Sequence, residues 1–313
     1  SFLNRTAGKN DTENNAQFSI LDYAIDEGLL KREGSTYMFA HDRIQHAAYS
    51  LIPESDQGRM HRHIGRLILE YAQDEMLDHV LFVVVDQLNR GQKFITKEKD
   101  RMELATLNLK AGEKAMSLAV FISSASYLKA GIDLLCNDHW EICYDLSLQL
   151  HNLYVEAEYC NGHFEEVGHA AGVVIKQARS FEDKLRIFAT LIKSLAAQNK
   201  LHDTMQIGFN VLRELGVQCP SPLPDKSVAA RDIMKTSMAL KNKSKDEFLN
   251  YHEMNEGSMT AAMKFLQILL NSSFMAKQEY LPLIIDQMMK LTLHHGICKE
   301  SCAALGYLSF LLC

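Results

Sequence analysis

The sequence predicts an all-α protein with one small β-hairpin near its start. Gly and Pro, which interrupt helices, number only 16 and 5 among 313 residues, so long stretches run without either. Apolar residues recur every three or four positions through most of the chain, which is helical spacing. The 47% hydrophobic and 23% charged content is that of an ordinary globular protein. We therefore expect a long series of amphipathic helices.

The first 56 residues predict a linker followed by a small mixed module. Residues 1–16 are polar and predict a linker or a disordered lead-in. From Phe18 the apolar residues fall at helical spacing, and Gly28 lies where a helix C-terminal cap is expected. Two short apolar segments, 29–32 and 37–40, predict the hairpin.

The turn of this hairpin contains Gly34, which tolerates the positive φ of a tight turn. A helix follows, with Asp42 predicted to cap its first turn and Pro53 to end it. Helix, hairpin and helix together predict a winged-helix-like module over residues 17–56.

Beyond this module the pattern is a monotonous series of amphipathic helices. Small residues recur where antiparallel neighbours must approach closely, as at Gly112 and Ala125. Helix pairs of about 34 to 42 residues are typical of tetratricopeptide-like stacking, here in a divergent form with a single Trp. The predicted helices span about 57–73, 75–90, 97–116, 118–135, 138–160, 163–179, 181–198, 201–215, 226–240, 244–275, 278–295 and 299–313.

The proline-rich stretch 219–225 predicts an extended linker within the helical array. It divides the array into a first helical-repeat stack, 57–218, and a second, 226–313. The chain starts without Met and stops inside the apolar run 307–313, so we expect it to be a truncated piece of a longer protein.

Charge and cysteine usage narrow the class of protein. The net charge of -6 argues against a broad nucleic-acid or anionic membrane footprint. Seven cysteines without regular spacing predict no disulfide framework, which suits the cytoplasm. The longest apolar runs fall short of the roughly 18 residues that a membrane helix needs.

The sequence contains no complete motif for phosphate binding, kinase catalysis or metal binding. The Gly8-Lys9 pair lacks the rest of a phosphate-binding loop, and 41–43 lacks the rest of a kinase catalytic loop. His294 and Cys298 could share one helix face, yet a metal would need a second ligand pair. We therefore expect no catalytic residue, cofactor or metal in this chain.

A basic cluster on the helix predicted at 57–73 is a possible partner surface, although a solvated helix face is the plainer interpretation. It consists of Arg59, His61, Arg62, His63 and Arg66.

Several segments, in matching order and spacing, resemble one family. It comprises large signalling proteins that join a signal-transduction (STAND-type, AAA-like) ATPase to multi-sensor hybrid histidine kinase or serine/threonine kinase modules. The segments are Tyr37–Pro53, His61–Leu67, Gln87–Gly91, Leu104–Ala115, Tyr127–Gly131, Val211–Gly216 and Met289–Gly296. In Tyr37–Pro53, His46 departs from the usual Gln.

The resemblance implies the winged-helix-like end of an ATPase module followed by tetratricopeptide-like helices. ATP and Mg²⁺ would then belong to domains outside this chain. We expect the module to contact its own upstream ATPase domain through His41, Asp42, Arg43 and Gln45. The helical groove would bind an unknown protein or ligand whose occupancy shifts the state of that ATPase.

Three other functions stay open at this point. A winged-helix module of a transcriptional regulator would use the basic cluster on nucleic-acid phosphates. Alternatively, the chain is part of a protein kinase whose catalytic residues lie elsewhere, or an enzyme with a cryptic site.

Overall fold

The computed structural model describes residues 20–34, 36–72, 74–220, 225–241, 247, 250–276 and 278–312. Over these residues the fold is all-α with one two-stranded antiparallel hairpin, which confirms the predicted class. The chain divides into two compact units, Ser1–Ala111 (unit 1) and Gly112–Cys313 (unit 2). The predicted limits at 56, 218 and 226 stay predictions, and the predicted lead-in 1–16 lies outside the described residues.

The described part of unit 1 starts with a helix, a hairpin and a second helix, in the predicted order. Residues 20–26 are helical (α1), and Gly28 follows at φ +71. Strand β1 (Leu30–Glu33) pairs with β2 (Thr36–Phe39) so that Leu30 faces Phe39. Gly34 turns the chain at φ +61, a conformation that costs Gly little because it has no Cβ.

The helix after the hairpin, α2 (Asp42–Ser50), is capped differently from the prediction. His41 is the N-cap, with extended backbone angles, and its Nδ1 accepts a hydrogen bond from the Arg43 amide at 3.1 Å. Asp42 is the first helical residue instead, where its carboxylate still interacts favourably with the helix dipole. The predicted cap was therefore wrong by one residue.

Long helices complete unit 1. They are α3 (Glu54–Tyr71), α4 (Asp74–Arg90) and the start of α5 (Glu98–Ser117), with a 3₁₀ turn at Gln92–Phe94. Glycines allow α3 to lie close to α4, since a Cβ at Gly65 would be 2.8 Å from Leu88 Cγ. The core is apolar, with Val84, Val85 and Leu104 at most 1% exposed.

Unit 2 is a series of helices, each of which packs against the next or the next-but-one helix along the chain. After the end of α5, the close approach predicted at Gly112 is confirmed, because a Cβ there would lie 2.5 Å from Leu128 Cγ of α6. The helices are α6 (Phe121–Asp133), α7 (His139–Ile142), α8 (Tyr144–Asn161), α9 (Phe164–Gln177), α10 (Phe181–Ala197), α11 (Leu201–Glu214), α12 (Lys226–Lys241), α13 (Gly257–Ala276), α14 (Leu281–His295) and α15 (Ser301–Leu312).

Helices further apart along the chain also touch. α10 contacts α8 on one side and α13 on the other, while α9 and α11 each pack against α10. We call the row α8, α10 and α13 the inner row. This two-row packing fits the predicted helical repeat.

Two predicted helices differ from the structure. The predicted helix 138–160 is broken at Cys143, whose backbone (φ -133, ψ 54) is not helical. Within the predicted helix 244–275, residues 250–256 are not helical, and α13 begins at Gly257, because residues before it pair with a distant segment. Glu253 forms a parallel bridge with Ile297, and the Met254 amide donates to the Ile297 carbonyl at 2.9 Å.

Of the predicted linker 219–225, residues 219 and 220 are non-helical, and 221–224 lie outside the described residues. In the part of the chain that the structure describes, no helix combines the length and apolar character that crossing a bilayer requires.

Candidate functional site

The residues predicted to contact another domain lie together at the start of α2. His41, Asp42, Arg43 and Gln45 are all exposed. No residue of α2 is buried, and its interdomain role stays a prediction.

Apolar side chains near α2 are exposed as well. Leu51 is 84% exposed, and Phe39 and Met38 of β2 are 44% and 42% exposed. Met38 and Phe39 follow one another in β2, so their side chains lie on opposite faces of the hairpin. We call Phe39, the α2 start and Leu51 the hairpin surface. An exposed apolar surface rimmed by polar residues is typical of an interaction site.

His61 of the basic cluster is not on the surface. It is 6% exposed, and its ring joins α3 to two other helices. Nε2 lies 2.9 Å from the Tyr49 hydroxyl of α2, and Nδ1 lies 2.6 Å from Oε1 of Gln87 on α4. Because buried polar groups need such partners, we interpret His61 as a structural connector of unit 1.

The arginines of the cluster are partly neutralised. Arg66 forms ion pairs with Asp100 at 3.2 Å and Glu103 at 2.7 Å, and Arg62 lies 3.9 Å from Asp100. The Arg59 guanidinium lies over the Phe94 ring at 5.4 Å, while His63 is exposed. This pairing reduces the positive field that a phosphate would meet.

A polar and aromatic cluster that sequence reasoning missed surrounds the break between α7 and α8. The Ser147 hydroxyl lies 2.8 Å from Nδ1 of His139 and also contacts the Cys143 carbonyl at 2.9 Å. His151 stacks on His139, with ring centroids 5.6 Å apart, and lies 4.9 Å from Trp140. Burial lowers the pKa of His151 to about 4, so this ring is neutral near pH 7.

A residue of the loop between α9 and α10 packs against this cluster and hydrogen-bonds to it. Arg179 lies 4.1 Å over the Tyr144 ring and donates to the Trp140 carbonyl at 3.1 Å. The Tyr144 hydroxyl donates to Asp183 at 2.7 Å, and this hydrogen bond is the main reason that the pKa of Asp183 is lowered.

The cluster contains Ser, His and Asp but does not form a catalytic triad. Ser147 is fully buried, and Asp183 bonds Tyr144 and the Ser180 cap rather than a histidine. A nucleophile needs access to its substrate and a base that a third group orients. The arrangement therefore fixes the α7–α8 corner and serves structure.

An open cleft crosses the inner row. It has a volume of about 500 Å³ and is lined by α8, α10, the α10–α11 turn, α11 and α13. We call it the Lys193 cleft; its lining residues are Tyr159, Lys193, Ala196, Ala197, Asn199, Leu201, Ile268, Asn271 and Ser272. It lies on the helical array, and the docking groove expected there stays a prediction.

The predicted pairing of His294 and Cys298 on one helix face was wrong. α14 ends at His295, and Gly296 turns the chain at φ +103, so Cys298 follows in a separate segment. No group of three or more His, Cys, Asp or Glu side chains suited to a metal ion occurs among the described residues.

Comparison with known proteins gives one informative similarity. The chain is 22% identical over 316 residues to hybrid signal transduction histidine kinase G of Dictyostelium discoideum. The alignment covers 86% of this chain but only 9% of that protein. No protein-family profile matches the chain, and no solved structure does.

This similarity links the chain distantly to the signal-transduction kinases and fits a signalling role. It concerns only a small part of a much larger protein. The assignments to a STAND ATPase and to a winged helix stay predictions.

Proposed function

We propose that this chain is a non-catalytic regulatory and protein-interaction segment of a large cytoplasmic signal-transduction kinase. Its helical repeats bind a partner or ligand, and its first residues transmit that binding to an ATPase domain elsewhere in the same protein. ATP and Mg²⁺ belong to those other domains.

The observation that carries the proposal is the extent of the similarity. Nearly the whole chain aligns, whereas the alignment takes up only a small fraction of the kinase. A segment of that kind is one module among many, and catalysis can be placed in the others.

The hairpin surface supplies the physical means of coupling. It presents exposed apolar side chains beside the polar start of α2. An interface of this composition, with an apolar centre and a polar rim, is typical of contacts between domains. A neighbouring ATPase domain that covers Leu51 and Phe39 would sense displacement of α2.

The test uses the full-length kinase that contains this segment. Leu51→Asp places a charge in the proposed contact, and we expect it to change ATP hydrolysis and phosphotransfer several-fold. Val83→Asp is the matched control, because Val83 is an exposed apolar residue of α4 in the same unit. Equal activity of wild type and both variants would overturn the coupling.

A separate measurement addresses the enzymatic alternative. The isolated chain should not hydrolyse ATP or phosphorylate itself. Hydrolysis that disappears in Arg43→Ala would show a catalytic site here. Salt-dependent DNA binding by the same sample would instead favour the nucleic-acid alternative.

A further inference from the structure

We propose that the Lys193 cleft binds a carboxylate-rich peptide segment. This inference deepens the proposed function, because it names the class of partner that the helical repeats recognise. It depends on three features of the cleft, which are its charge, its hydrogen-bond donors and its size.

The charge of the cleft is positive. Lys193 is the one ionisable cation among the lining residues, and no carboxylate is among them. Lys193 is exposed and forms no ion pair with any residue in the part of the chain that the structure describes. Its charge is therefore free to meet a ligand.

The nearby Glu156 carboxylate does not neutralise the positive charge of Lys193. Glu156 on α8 is already held by Arg186 of α10, through two hydrogen bonds of 2.6 and 2.8 Å. Lys264 lies one turn before Ile268 on α13 and is also exposed, so it falls on the same helix face. Two lysines from adjacent inner-row helices thus favour an acidic ligand.

Three of the other polar lining groups carry donors, whereas the Ser272 hydroxyl already donates to the Ile268 carbonyl at 2.9 Å. Asn199 and Asn271 each carry an amide NH₂ with two donors, and Tyr159 carries a hydroxyl. Asn199 adopts a left-handed conformation at φ +58, which is uncommon for a residue other than Gly. Asparagine side chains can bond both a ligand carboxylate and a peptide backbone.

The cleft has the volume of a ligand pocket, and its lining extends across several helices. About 500 Å³ falls in the range of roughly 300 to 1,000 Å³ that is usual for ligand pockets. The lining comes from three inner-row helices and includes apolar Ile268 and Leu201 beside the amides. An extended segment can place acidic side chains at the lysines and small apolar ones at Ile268.

The test is a titration of the whole chain with a fluorescein-labelled decapeptide in which Glu and Ala alternate. Fluorescence anisotropy should show saturable binding that weakens at high salt, because exposed charges are screened. The decapeptide with Gln in place of Glu should bind at least tenfold more weakly. Equal binding of the two peptides would overturn the proposal.

Variants locate the site. Lys193→Glu should weaken binding at least tenfold, and Asn271→Asp, which adds a carboxylate to the cleft, should also weaken it. Lys176→Glu is the matched control, since Lys176 is exposed on α9, outside the inner row, and the charge change is the same. Unchanged affinity in both cleft variants, with native circular dichroism, would show that the peptide binds elsewhere.

Free glutarate serves as a competitor. If glutarate binds as tightly as the peptide, the cleft recognises a small dicarboxylate and the peptide proposal is wrong. The outcome is independent of the hairpin surface, since the titration needs no ATPase domain. A chain that responds to Leu51→Asp but ignores the acidic peptide would overturn this inference alone.

Discussion

Replacing His61 by Ala should destabilise unit 1 markedly. The change removes two hydrogen bonds at once, to the Tyr49 hydroxyl and to Gln87. Each half-buried partner left without a bond costs about 1 kcal/mol, and the lost ring packing adds about as much. We expect a total of about 2–3 kcal/mol. His63→Ala, two residues further along α3 at an exposed position, should cost less than about 0.5 kcal/mol.

Amide hydrogen exchange followed by mass spectrometry can separate these two variants. Exchange in α3 should accelerate at least roughly 30-fold in His61→Ala, which corresponds to about 2 kcal/mol. It should stay near the wild-type rate in His63→Ala. A double-mutant cycle with Tyr49→Phe should give a coupling of about 1 kcal/mol. Wild-type exchange in both single variants would refute the structural role of His61.

Two further predictions concern pH and close packing. The pKa of His151 falls from 6.5 in the unfolded chain to about 4 in the folded chain. The contribution of the neutral ring to the free energy of unfolding is therefore present above pH 6.5 and is lost as the pH drops towards 4. The loss is at most about 3 kcal/mol. Urea unfolding at several pH values, followed by Trp140 fluorescence, should show this loss. His151→Phe should make the free energy of unfolding less dependent on pH. Gly91→Ala should lower the melting temperature at a cost of about 1–3 kcal/mol, because its Cβ would lie 2.7 Å from the Arg62 amide nitrogen. A Cβ at Gly168 would have no atom within 4 Å, so Gly168→Ala should instead stabilise its helix by about 1 kcal/mol. A lower melting temperature in both glycine variants would contradict the packing argument.

Local sequence patterns were sufficient to predict most helices and the hairpin. The period of apolar residues is set within one helix, so α9, α10 and α11 begin and end within about two residues of the prediction. The turns at Gly28 and Gly34 were predictable as well, because Gly adopts a positive φ at little cost and this preference depends on that residue alone.

Features that depend on distant partners could not be predicted in this way. The basic cluster looked like one surface, yet His61 is buried by Tyr49 and Gln87, which lie 12 and 26 residues away. The late start of α13 depends on the bridge between Glu253 and Ile297. Periodicity describes one helix at a time and carries no information on such pairs.

The Lys193 cleft was not located from the sequence, which predicted a binding groove on the repeats without naming its residues. Its residues come from segments more than 100 positions apart, from Tyr159 to Ser272. The conformation of Asn199, with φ +58, has a weak local signal, because Asn enters the left-handed region more readily than most residues. That signal marks a turn and not a ligand site.

Helix α8 is enclosed by protein around most of its circumference, since every residue from 150 to 155 is buried. Its 18 residues make a rod about 27 Å long. Tyr159 near one end lines the Lys193 cleft, and Tyr144 at the other is held by Arg179 and Asp183. Close-packed interiors have low compressibility and transmit strain. Trp140 contacts Tyr144 and His151 of this helix. A ligand that shifts Tyr159 should therefore change the fluorescence of Trp140, which is the single Trp of the chain.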